Sequence, residues 1–396
     1  MKNKIVIIGG CGHIGLPLAV ALANAGYNTV AYDINQQAVN TALSGKMPFS
    51  ETDGDLELQK ALASKKLDIC SELNESDYGS DFILTLGTPV DEFLNPSFSV
   101  FEKTLKPIMK YVSDDSLIIL RSTVFPGTTE WLHRFIEKNN KKANVAFCFE
   151  RVVQGETLEE IKKFPQIVSA TTKEAENRAS EIFLNLTSKV IVCDPMEAEF
   201  SKLFLNSYRY IQFAIANQFY MIADRAGYDF NKIRKIMSED YPRADGLPGP
   251  GFAAGPCLFK DTMQLASFSQ NNFGLGTSAM LVNEGLALYI KDKIKDNYDH
   301  KNITVGLLGM SFKKDCDDVR SSLSYKLKKF LNPIVKEVLC TDDLVNDTRL
   351  VSLEEALEKS DVLVLCTPHT YLKNIKTDKP IIDIWDYFGQ NDQGDR

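Results

Sequence analysis

The chain contains 396 residues, more than one ordinary hydrophobic core holds, so we expect two or three domains. Its 44% apolar and 25% charged residues are typical of a globular protein. The formal net charge of −8 at pH 7 argues against a surface for nucleic acid or for anionic membranes.

The 8 cysteines are scattered along the chain, without a C-x-x-C pair or the spacing of a zinc site. We therefore expect reduced thiols, no structural disulfides and no bound metal. The chain begins directly with an apolar strand pattern, and no apolar run is long enough to span a bilayer. These features predict a cytoplasmic protein with neither a membrane nor a nucleic-acid partner.

The first half of the chain alternates short apolar runs with helical patterns such as Leu16–Ala25. This is the βαβ rhythm of a mainly parallel, doubly wound sheet. The predicted strands are Lys4–Ile8, Thr29–Asp33, Phe82–Leu86, Leu117–Leu120, Val145–Phe149, Ile167–Ser169 and Val190–Cys193.

A glycine-rich loop, GCGHIG, joins the first strand to its helix. Glycines here allow a tight turn, the close approach of a pyrophosphate, and tight packing of helix on strand. The predicted cofactor-binding residues of the loop are Gly10, Gly12, His13, Ile14 and Gly15. Asp33 ends the second strand, where a carboxylate accepts hydrogen bonds from ribose hydroxyls and repels a 2′-phosphate. The pattern therefore predicts NAD rather than NADP or a flavin.

Two polar residues follow predicted strands at the sheet edge where α/β folds bind ligands. Glu150 comes directly after Val145–Phe149, and Thr123 lies in the segment RSTVFPGTT that follows Leu117–Leu120. Taken alone, each of them could equally be an ordinary strand-end acid or a turn residue.

The character of the chain changes after Pro195. Residues Met196–Ala226 contain no Gly or Pro, which predicts a helix of roughly 45 Å at 1.5 Å per residue. A helix of this length often bridges domains or packs against a partner subunit. Lys202 and Asn206 are four apart and share one face of it. Taken alone, the pair could be solvated surface residues.

Helical patterns at Phe230–Ser238 and Thr277–Ile294 flank the segment GPGFAAGPCLFKD, residues 249–261. This segment places Cys257 behind a Gly/Pro-rich approach loop, with Asp261 four residues later. Because small residues let the atoms of another molecule come close to the backbone, the segment predicts a thiol that a substrate can reach.

From Asn302 the βαβ rhythm returns, with Lys291–Lys301 as a predicted polar connector and Gly389–Arg396 as a frayed tail. The predicted strands are Ile303–Leu308, Glu337–Cys340, Val362–Cys366 and Pro380–Ile384. We therefore predict an α/β fold of two Rossmann-like doubly wound domains, joined by a long central helix and a small helical domain. The expected divisions are an NAD-binding domain (1–194), a helical dimerisation domain with the cysteine loop (195–300) and a second Rossmann-like domain (301–396).

Seven ordered motifs resemble the UDP-glucose/GDP-mannose dehydrogenase family, the NAD-dependent nucleotide-sugar 6-dehydrogenases, over about residues 1–388. They are GCGHIGLPLA, GTP, STVFPGTTE, ERVVQG, AEFSKLFLN, GPCLFKD and GMSFKKDCDDVRSS. The resemblance implies a four-electron oxidation of the C6 hydroxymethyl of a UDP-sugar. The alcohol would become an aldehyde, and Cys257 would carry it through a thiohemiacetal and a thioester to the uronate. A thiol suits the second oxidation because its covalent adduct presents another hydride.

The resemblance also implies catalytic roles. Lys202 and Asn206 would stabilise the oxyanion and contact the sugar, and Asp261 would orient water and assist proton transfer. Glu150 would be the base for the hydrolytic water, which Thr123 would help to position.

Further residues are implied in ligand binding. Thr88 and Thr123 would line the nicotinamide channel, and Lys313 would meet the substrate diphosphate. The remaining implied substrate-binding residues are Glu150, Arg151, Arg243, Gly251 and Phe252, of which Arg243 reaches in from a neighbouring subunit in some members. Arg320 would order the same region or form a structural ion pair with Asp317 or Asp318.

Departures from the family pattern leave the sugar open. Ala253 and Ala254 stand where glycine or an aromatic residue is common, and Gln154 replaces a second acid of UDP-glucose members. The Glu150-Arg151 pair is similar to the branch that oxidises UDP-N-acetylhexosamines, whereas the run CLFKD is similar to the UDP-glucose branch. His13-Ile14 replaces the commoner Tyr-Val, a change expected to matter little because backbone atoms bind the phosphates.

Two other functions remain open. A two-electron hydroxyacid dehydrogenase would use a helix lysine and asparagine but would have no use for Cys257. A non-enzymatic nucleotide-sugar sensor would be free to lose its catalytic side chains, which this chain retains. We predict that the chain forms a homodimer through the Met196–Ala226 helix.

Overall fold

In a computed structural model, the chain is described over residues 4–87, 98–253, 255 and 257–389. It divides into two compact units, Met1–Phe204 and Leu205–Arg396. Thr88, Ala254 and the last seven residues of the predicted tail lie outside the described residues.

The described part of the first unit forms one sheet in the order β3-β2-β1-β4-β5-β6-β7-β8. All neighbouring strands are parallel except β6 and β7. The strands are β1 Ile5–Ile8, β2 Thr29–Tyr32, β3 Leu67–Cys70, β4 Asp81–Leu84, β5 Leu117–Leu120, β6 Asn144–Phe147, β7 Gln166–Ala170 and β8 Val190–Val192. The helices are α1 Gly15–Asn24, α2 Gln36–Leu43, α3 Gly54–Ala63, α4 Phe98–Ile108, α5 Thr128–Lys138, α6 Thr157–Lys163 and α7 Lys173–Leu184.

Helices cover both faces of this sheet. The central strands β1, β4 and β5 are apolar at nearly every position and wholly buried, as expected for parallel strands with helices on each side. Alternate side chains enter two separate cores: Ile5 and Ile7 pack with α1, and Val6 and Ile8 pack on the opposite face. The carboxyl ends of the strands therefore meet at one edge, where the loops that follow them converge.

The second unit begins within a long helix, α8, which spans Pro195–Arg225. Its other helices are α9 Phe230–Ser238, α10 Leu258–Phe268, α11 Gly274–Asn297, α12 Leu323–Leu331 and α13 Leu353–Lys359. A parallel sheet follows in the order β10-β9-β11-β12. Its strands are β9 Thr304–Leu308, β10 Glu337–Thr341, β11 Val362–Leu365 and β12 Ile381–Ile382. This order repeats the β2-β1-β4-β5 order of the first sheet, so both units are Rossmann-like and the predicted fold class is confirmed.

The main difference from the predicted elements lies at the end of α11. The predicted helix Thr277–Ile294 continues to Asn297, so the predicted connector 291–301 begins inside α11. Ile290 and Ile294 are buried on the inner face of this helix while its charged residues point outward. Strand β3 and the short helices around it were also absent from the prediction. Among the described residues, no helix is both long and apolar enough to cross a membrane.

Candidate active site

The glycine loop after β1 has the shape of a phosphate cradle. A Cβ atom on Gly10 would lie 2.6 Å from Ala31 Cα, and one on Gly15 would lie 2.2 Å from Gly9 O. These two positions exclude any side chain because the loop packs against β2 and against itself. At Gly12, by contrast, the nearest atom to a Cβ would be 3.4 Å away. Gly12 therefore leaves one side of the loop clear of any side chain. A pyrophosphate can approach the N-terminus of α1 from that side.

Asp33 lies just beyond β2 with its carboxylate partly exposed. Its Oδ2 accepts a hydrogen bond from Cys11 N at 3.1 Å, and its Oδ1 accepts one from Asn35 N at 2.9 Å. These two bonds fix the carboxylate beside the glycine loop and leave acceptor capacity for ribose hydroxyls. The loop and Asp33 together fit the adenosine half of NAD.

One side chain of the loop is tied to the segment that follows β6. The Gln154 amide nitrogen lies 2.9 Å from His13 Nδ1, and the His13 ring lies against Phe49 with centroids 4.2 Å apart. Both His13 and Gln154 are departures from the family pattern, and sequence reasoning treated them separately. They are 141 positions apart, so nothing in the local sequence signals their contact.

Glu150 and Lys202 form an ion pair. Lys202 Nζ donates to the Glu150 backbone carbonyl at 2.8 Å and to Glu150 Oε1 at 3.1 Å. The other oxygen, Oε2, accepts from Val152 N at 2.8 Å. The Lys202 side chain is only 8% exposed and that of Glu150 15%, so the pair is largely shielded from water. A shielded cation of this kind can stabilise a developing oxyanion far better than a surface lysine.

The segment after β5 carries Thr123, which is half-buried. Glu199 on α8 anchors the same segment, since its carboxylate accepts from Gly127 N at 2.5 Å and from Thr129 N at 2.8 Å. Burial raises the pKa of Glu199, and the hydrogen bonds from Thr129 and Gly127 oppose that effect. Sequence reasoning missed Glu199, although it lies three residues before Lys202.

In the second unit, Cys257 is exposed and immediately precedes α10. The N-terminus of a helix favours negative charge close to it, so this position suits a thiol that acts as a nucleophile. The other cysteines, all within the described residues, are free thiols with lower exposure. Burial raises the pKa of several of them, to about 12 for Cys11 and Cys148. The structure therefore presents Cys257 differently from the remaining thiols.

Asn206 and Asp261 are in direct contact one turn into α10. Asn206 Nδ2 donates to Asp261 Oδ2 at 2.5 Å, and both residues are buried. Asp261 N also donates to Cys257 O at 2.9 Å, as the first turn of the helix requires. The spacing of four between Cys257 and Asp261 thus places thiol and acid on consecutive turns of one face.

Buried amides hold the approach loop in place, and sequence reasoning missed them. Asn217 on α8 donates to Gly251 O at 3.0 Å and accepts from Gly251 N at 2.8 Å. Asn283 on α11 accepts from Asn217 Nδ2 at 2.9 Å. A Cβ on Gly251 would lie 2.2 Å from the Trp385 ring, and Phe252 is 5% exposed within the core. Gly251 and Phe252, at the start of the loop that leads to Cys257, are therefore held by the surrounding residues.

The predicted substrate-binding cations are placed differently from one another. Lys313 is half-buried in the loop after β9, whereas Arg243 is exposed in a 3-10 turn, Pro242–Ala244. Arg151 donates to Pro165 O, and burial lowers its pKa. Arg320 pairs with Asp318 through bonds of 2.5 to 3.0 Å, so of the two acids considered from the sequence it contacts Asp318.

Profiles of the UDP-glucose/GDP-mannose dehydrogenase family match almost the whole chain. The NAD binding domain matches residues 3–187, the central domain residues 196–285, and the UDP binding domain residues 306–389. The predicted cofactor, NAD, is confirmed by the first of these matches.

Individual relatives agree with the profiles. The UDP-N-acetyl-D-mannosamine dehydrogenase of Methanococcus maripaludis strain C7 is 32% identical, covering 95% of this chain and 88% of its own length. The enzyme of the same name from Pyrococcus horikoshii is 28% identical, covering 92% of this chain and 90% of its own. A solved structure of UDP-D-ManNAc dehydrogenase from Pyrococcus horikoshii superposes with a TM-score of 0.88 at 26% identity, covering 97% of this chain and all of that one.

Proposed function

Because the chain belongs to the UDP-glucose/GDP-mannose dehydrogenase family and is an NAD-dependent UDP-sugar dehydrogenase, we propose that it oxidises C6 of UDP-N-acetyl-D-mannosamine to the uronate. The oxidation removes four electrons in two stages. The observation that carries this proposal is the exposed Cys257 at the start of α10, in a chain that also holds a glycine cradle for NAD. A dehydrogenase that stopped at the aldehyde would need no such thiol.

NAD is held by the glycine loop and by Asp33, with Thr88 and Thr123 proposed along the nicotinamide channel. When bound, NAD accepts the hydride released at each oxidation. The loop supports this assignment because the Cβ-free side of Gly12 leaves room for the pyrophosphate. The partly exposed Asp33 carboxylate would repel the 2′-phosphate of NADP and thereby favour NAD.

Lys202 and Asn206 act on the C6 oxygen in the first stage. Lys202 stabilises the negative charge that develops on that oxygen, and Asn206 donates a hydrogen bond to it. The buried setting of Lys202 supports this role, because an electrostatic interaction strengthens where water is excluded. Asp261 assists proton transfer, and its contact with Asn206 holds the amide in one orientation.

Cys257 acts in the second stage. Its sulfur attacks the aldehyde carbon to give a thiohemiacetal, whose oxidation leaves a thioester. Water then attacks the thioester carbon, Glu150 takes the proton from that water, and the C–S bond breaks to release the uronate and the thiolate. Thr123 positions the water. The pairing of Glu150 with Lys202 supports its role as base, since it fixes the carboxylate at a strand end.

The names of the relatives support N-acetylmannosamine as the sugar, in agreement with the Glu150-Arg151 pair of the sequence. Lys313 is proposed to meet the diphosphate, while Gly251 and Phe252 lie in the loop that forms the floor of the sugar site. We propose the divisions 1–194, 195–300 and 301–396 for NAD binding, dimerisation and UDP-sugar binding. A cytoplasmic location would supply both NAD and UDP-sugar.

A homodimer through α8 is also proposed. Four large side chains on one face of the helix are exposed: Tyr208 60%, Ile215 40%, Phe219 41% and Ile222 58%. Their spacing of seven, four and three residues follows the helical period, so they form one apolar stripe. A stripe of this kind is typical of a subunit interface, and a second copy of the same helix would cover it. Arg243 of that copy would then reach the sugar-nucleotide site.

Cys257→Ser tests the chemistry. With NAD and UDP-N-acetyl-D-mannosamine we expect uronate formation to fall by roughly 1,000-fold or more, because a serine hydroxyl is a far weaker nucleophile at neutral pH. The control is Cys193→Ser, at a half-buried thiol just after β8, which should leave turnover unchanged. Normal uronate yield from Cys257→Ser would overturn the role of Cys257 in the second oxidation. One NADH per sugar and no uronate from the wild type would favour a two-electron dehydrogenase, and absence of turnover in the wild type would favour a sensor. A panel that adds UDP-glucose, UDP-N-acetylglucosamine, UDP-galactose and GDP-mannose tests the sugar, and preference for any of these would overturn it.

A further inference from the structure

Arg121, at the end of β5, is a buried cation that the proposed chemistry does not use. It is 2% exposed, directly before the segment that carries Thr123. Burial lowers the pKa of Arg121 to about 10, and the negative charge of Glu150 opposes that effect. Burying a charged side chain costs free energy, so an apolar residue would fill this space at a lower cost. The buried cation therefore indicates a role for its charge or its hydrogen-bond donors.

The hydrogen-bond partners of Arg121 are neutral. Its guanidinium donates to the Cys148 carbonyl at 2.7 Å, to Gln166 Oε1 at 2.5 Å and to the Phe149 carbonyl at 3.4 Å. The Phe183 ring lies against it, 5.0 Å from the guanidinium carbon. Within the described residues, no carboxylate forms an ion pair with Arg121. Its contacts therefore converge on the end of β6 and not on an acid.

Gln166 on β7 completes this arrangement. Its Nε2 donates to Phe149 O at 2.9 Å, and its Oε1 accepts from Arg121. The carbonyl immediately before Glu150 therefore receives hydrogen bonds from two side chains. On the other side, Lys202 binds the backbone carbonyl and the carboxylate of Glu150. The peptide units on both sides of Glu150 Cα are fixed in this way, which leaves its side chain little freedom to move.

We propose that Arg121 is a positioning residue for hydrolysis of the thioester, acting through the end of β6 on Glu150. The inference rests on the proposed function, in which Glu150 takes a proton from the water that attacks the Cys257 thioester. Arg121 supplies the rigid strand end and a positive charge that attracts the Glu150 carboxylate. In this role it acts through Glu150, and the two oxidations do not need it.

The experiment is a rapid-mixing measurement of NADH with excess NAD and UDP-N-acetyl-D-mannosamine, followed by intact-mass analysis of the quenched enzyme. Slow hydrolysis produces a burst of two NADH per active site, then a slow steady rate, with the acyl group retained on Cys257. The variants are Arg121→Met, which removes the charge and the donors, and Arg121→Lys, which keeps the charge. Glu150→Gln removes the base itself.

We expect Arg121→Met to keep the burst and the acylated mass while its steady rate falls roughly 30-fold. Arg121→Lys should recover to within about fivefold of the wild type, because the charge and one donor remain. If Arg121→Met does not fold, Gln166→Met replaces it, with the same burst and a smaller fall in the steady rate. The matched control is Arg178→Met, which breaks a half-buried pair with Asp81 in the same unit and should leave the ratio of burst to steady rate unchanged.

Two results distinguish a failure of the role proposed for Arg121 from a failure of the proposed function. If Glu150→Gln accumulates the acyl-enzyme but neither Arg121→Met nor Gln166→Met does, the positioning role of Arg121 is wrong and the proposed function stands. If Glu150→Gln itself gives no burst and no acylated mass, the assignment of Glu150 as base is wrong, and the role of Arg121 with it. Equal loss of burst and steady rate in Arg121→Met would also overturn the inference, since a merely structural role predicts that result.

Discussion

The second sheet repeats the order of strands β2-β1-β4-β5 in the first sheet, but the two units differ in the loop that follows the first strand of this pattern. In the first unit, β1 leads into the glycine loop with Gly10, Gly12 and Gly15, and β2 is followed by Asp33. In the second unit, β9 leads into Gly309-Met310-Ser311, and β10 is followed by Asp342. Because equivalent acids follow equivalent strands, any difference between the two positions comes from the loops and the neighbouring side chains.

Both acids make the same kind of backbone contacts. Asp33 accepts from Cys11 N and Asn35 N at 3.1 and 2.9 Å, whereas Asp342 accepts from Met310 N at 2.7 Å and from Leu344 N at 3.0 Å. The difference is His369, which is fully buried and whose Nε2 lies 3.1 Å from Asp342 Oδ2.

The histidine is held in one tautomer. Asp315 N donates to His369 Nδ1 at 2.9 Å, which makes Nδ1 an acceptor and leaves the proton on Nε2, facing Asp342. Asp342 thus accepts hydrogen bonds from four donors, the backbone N–H groups of Met310, Ser311 and Leu344 and the His369 ring. Met310, with no exposed surface, stands at the position equivalent to Gly10. Asp342, the acid equivalent to Asp33, therefore has a structural role in the second unit. The Rossmann topology alone does not make a dinucleotide site.

The largest effect is expected from a substitution in the glycine loop that follows β1. Gly15→Val should abolish NAD binding, with kcat/KM for NAD falling at least roughly 1,000-fold, because even a Cβ there would overlap Gly9 O. Equilibrium titration of NAD by calorimetry measures it. Retained NAD affinity in a folded Gly15→Val protein would show that the loop is not the cradle.

The next largest effect is expected when the Asp342 carboxylate is removed. Asp342→Ala should destabilise the second unit by roughly 3–5 kcal/mol, since it leaves buried N–H groups of Met310, Ser311 and His369 without an acceptor. Trp131 and Trp385 report on the first and second units respectively, so the experiment uses a Trp131→Phe background and follows Trp385 fluorescence in urea. NAD affinity should stay within about twofold of the wild type. A large loss of NAD affinity with an unchanged urea midpoint would contradict the assignment of Asp342 as a structural anchor.

The equivalent change in the first unit should act on the ligand and not on stability. Asp33→Ala is expected to raise KM for NAD by roughly 10- to 100-fold, while the ratio of NADP to NAD turnover increases. The Trp385 urea midpoint serves as its control and should not move. If Asp33→Ala left KM for NAD unchanged, the open carboxylate would not be the ribose acceptor.

The smallest effect is a dependence of stability on pH. Burial alone would raise the pKa of Asp342, but hydrogen bonds from His369, Met310 N and Ser311 N outweigh it and hold that pKa below its ordinary value of 3.8. Because the folded-state pKa is the lower one, the stabilisation is complete above about pH 4 and is lost as the pH falls through the folded-state value. Urea midpoints followed through Trp385 between roughly pH 5 and 3 should therefore fall in the wild type and fall less steeply in Asp342→Asn. Parallel curves for the two proteins would mean that Asp342 does not contribute to the acid sensitivity.

The features that the sequence predicted are those encoded locally. Apolar runs, the GCGHIG loop and the 31-residue interval without Gly or Pro all depend on neighbouring positions, so β1, α1 and α8 lie where the pattern places them. The polar residues at the end of α11 were predicted to be a connector because most of them are charged. That prediction gave too little weight to the two isoleucines that are buried on the inner face of the helix.

The remaining contacts could not be predicted because they join distant parts of the chain. His369 meets Asp342 across 27 positions, and Arg121 meets Gln166 across 45. Neither pair belongs to a spacing rule of helix or strand, and each polar group taken alone looks like a surface residue. The family motifs identified Glu150, Lys202, Asn206 and Asp261, but which of these contact one another became clear only when the strand ends and helices were placed.

We propose that the NAD site in the first unit serves a four-electron oxidation that is completed through Cys257. The most direct test of this proposal is the stoichiometry of a limiting, weighed amount of UDP-N-acetyl-D-mannosamine run to completion with excess NAD, with NADH read by absorbance and the product by mass spectrometry. We expect two NADH per sugar and a product heavier than the substrate by the mass of one oxygen less two hydrogens. One NADH per sugar, with the aldehyde as the final product, would contradict the proposal.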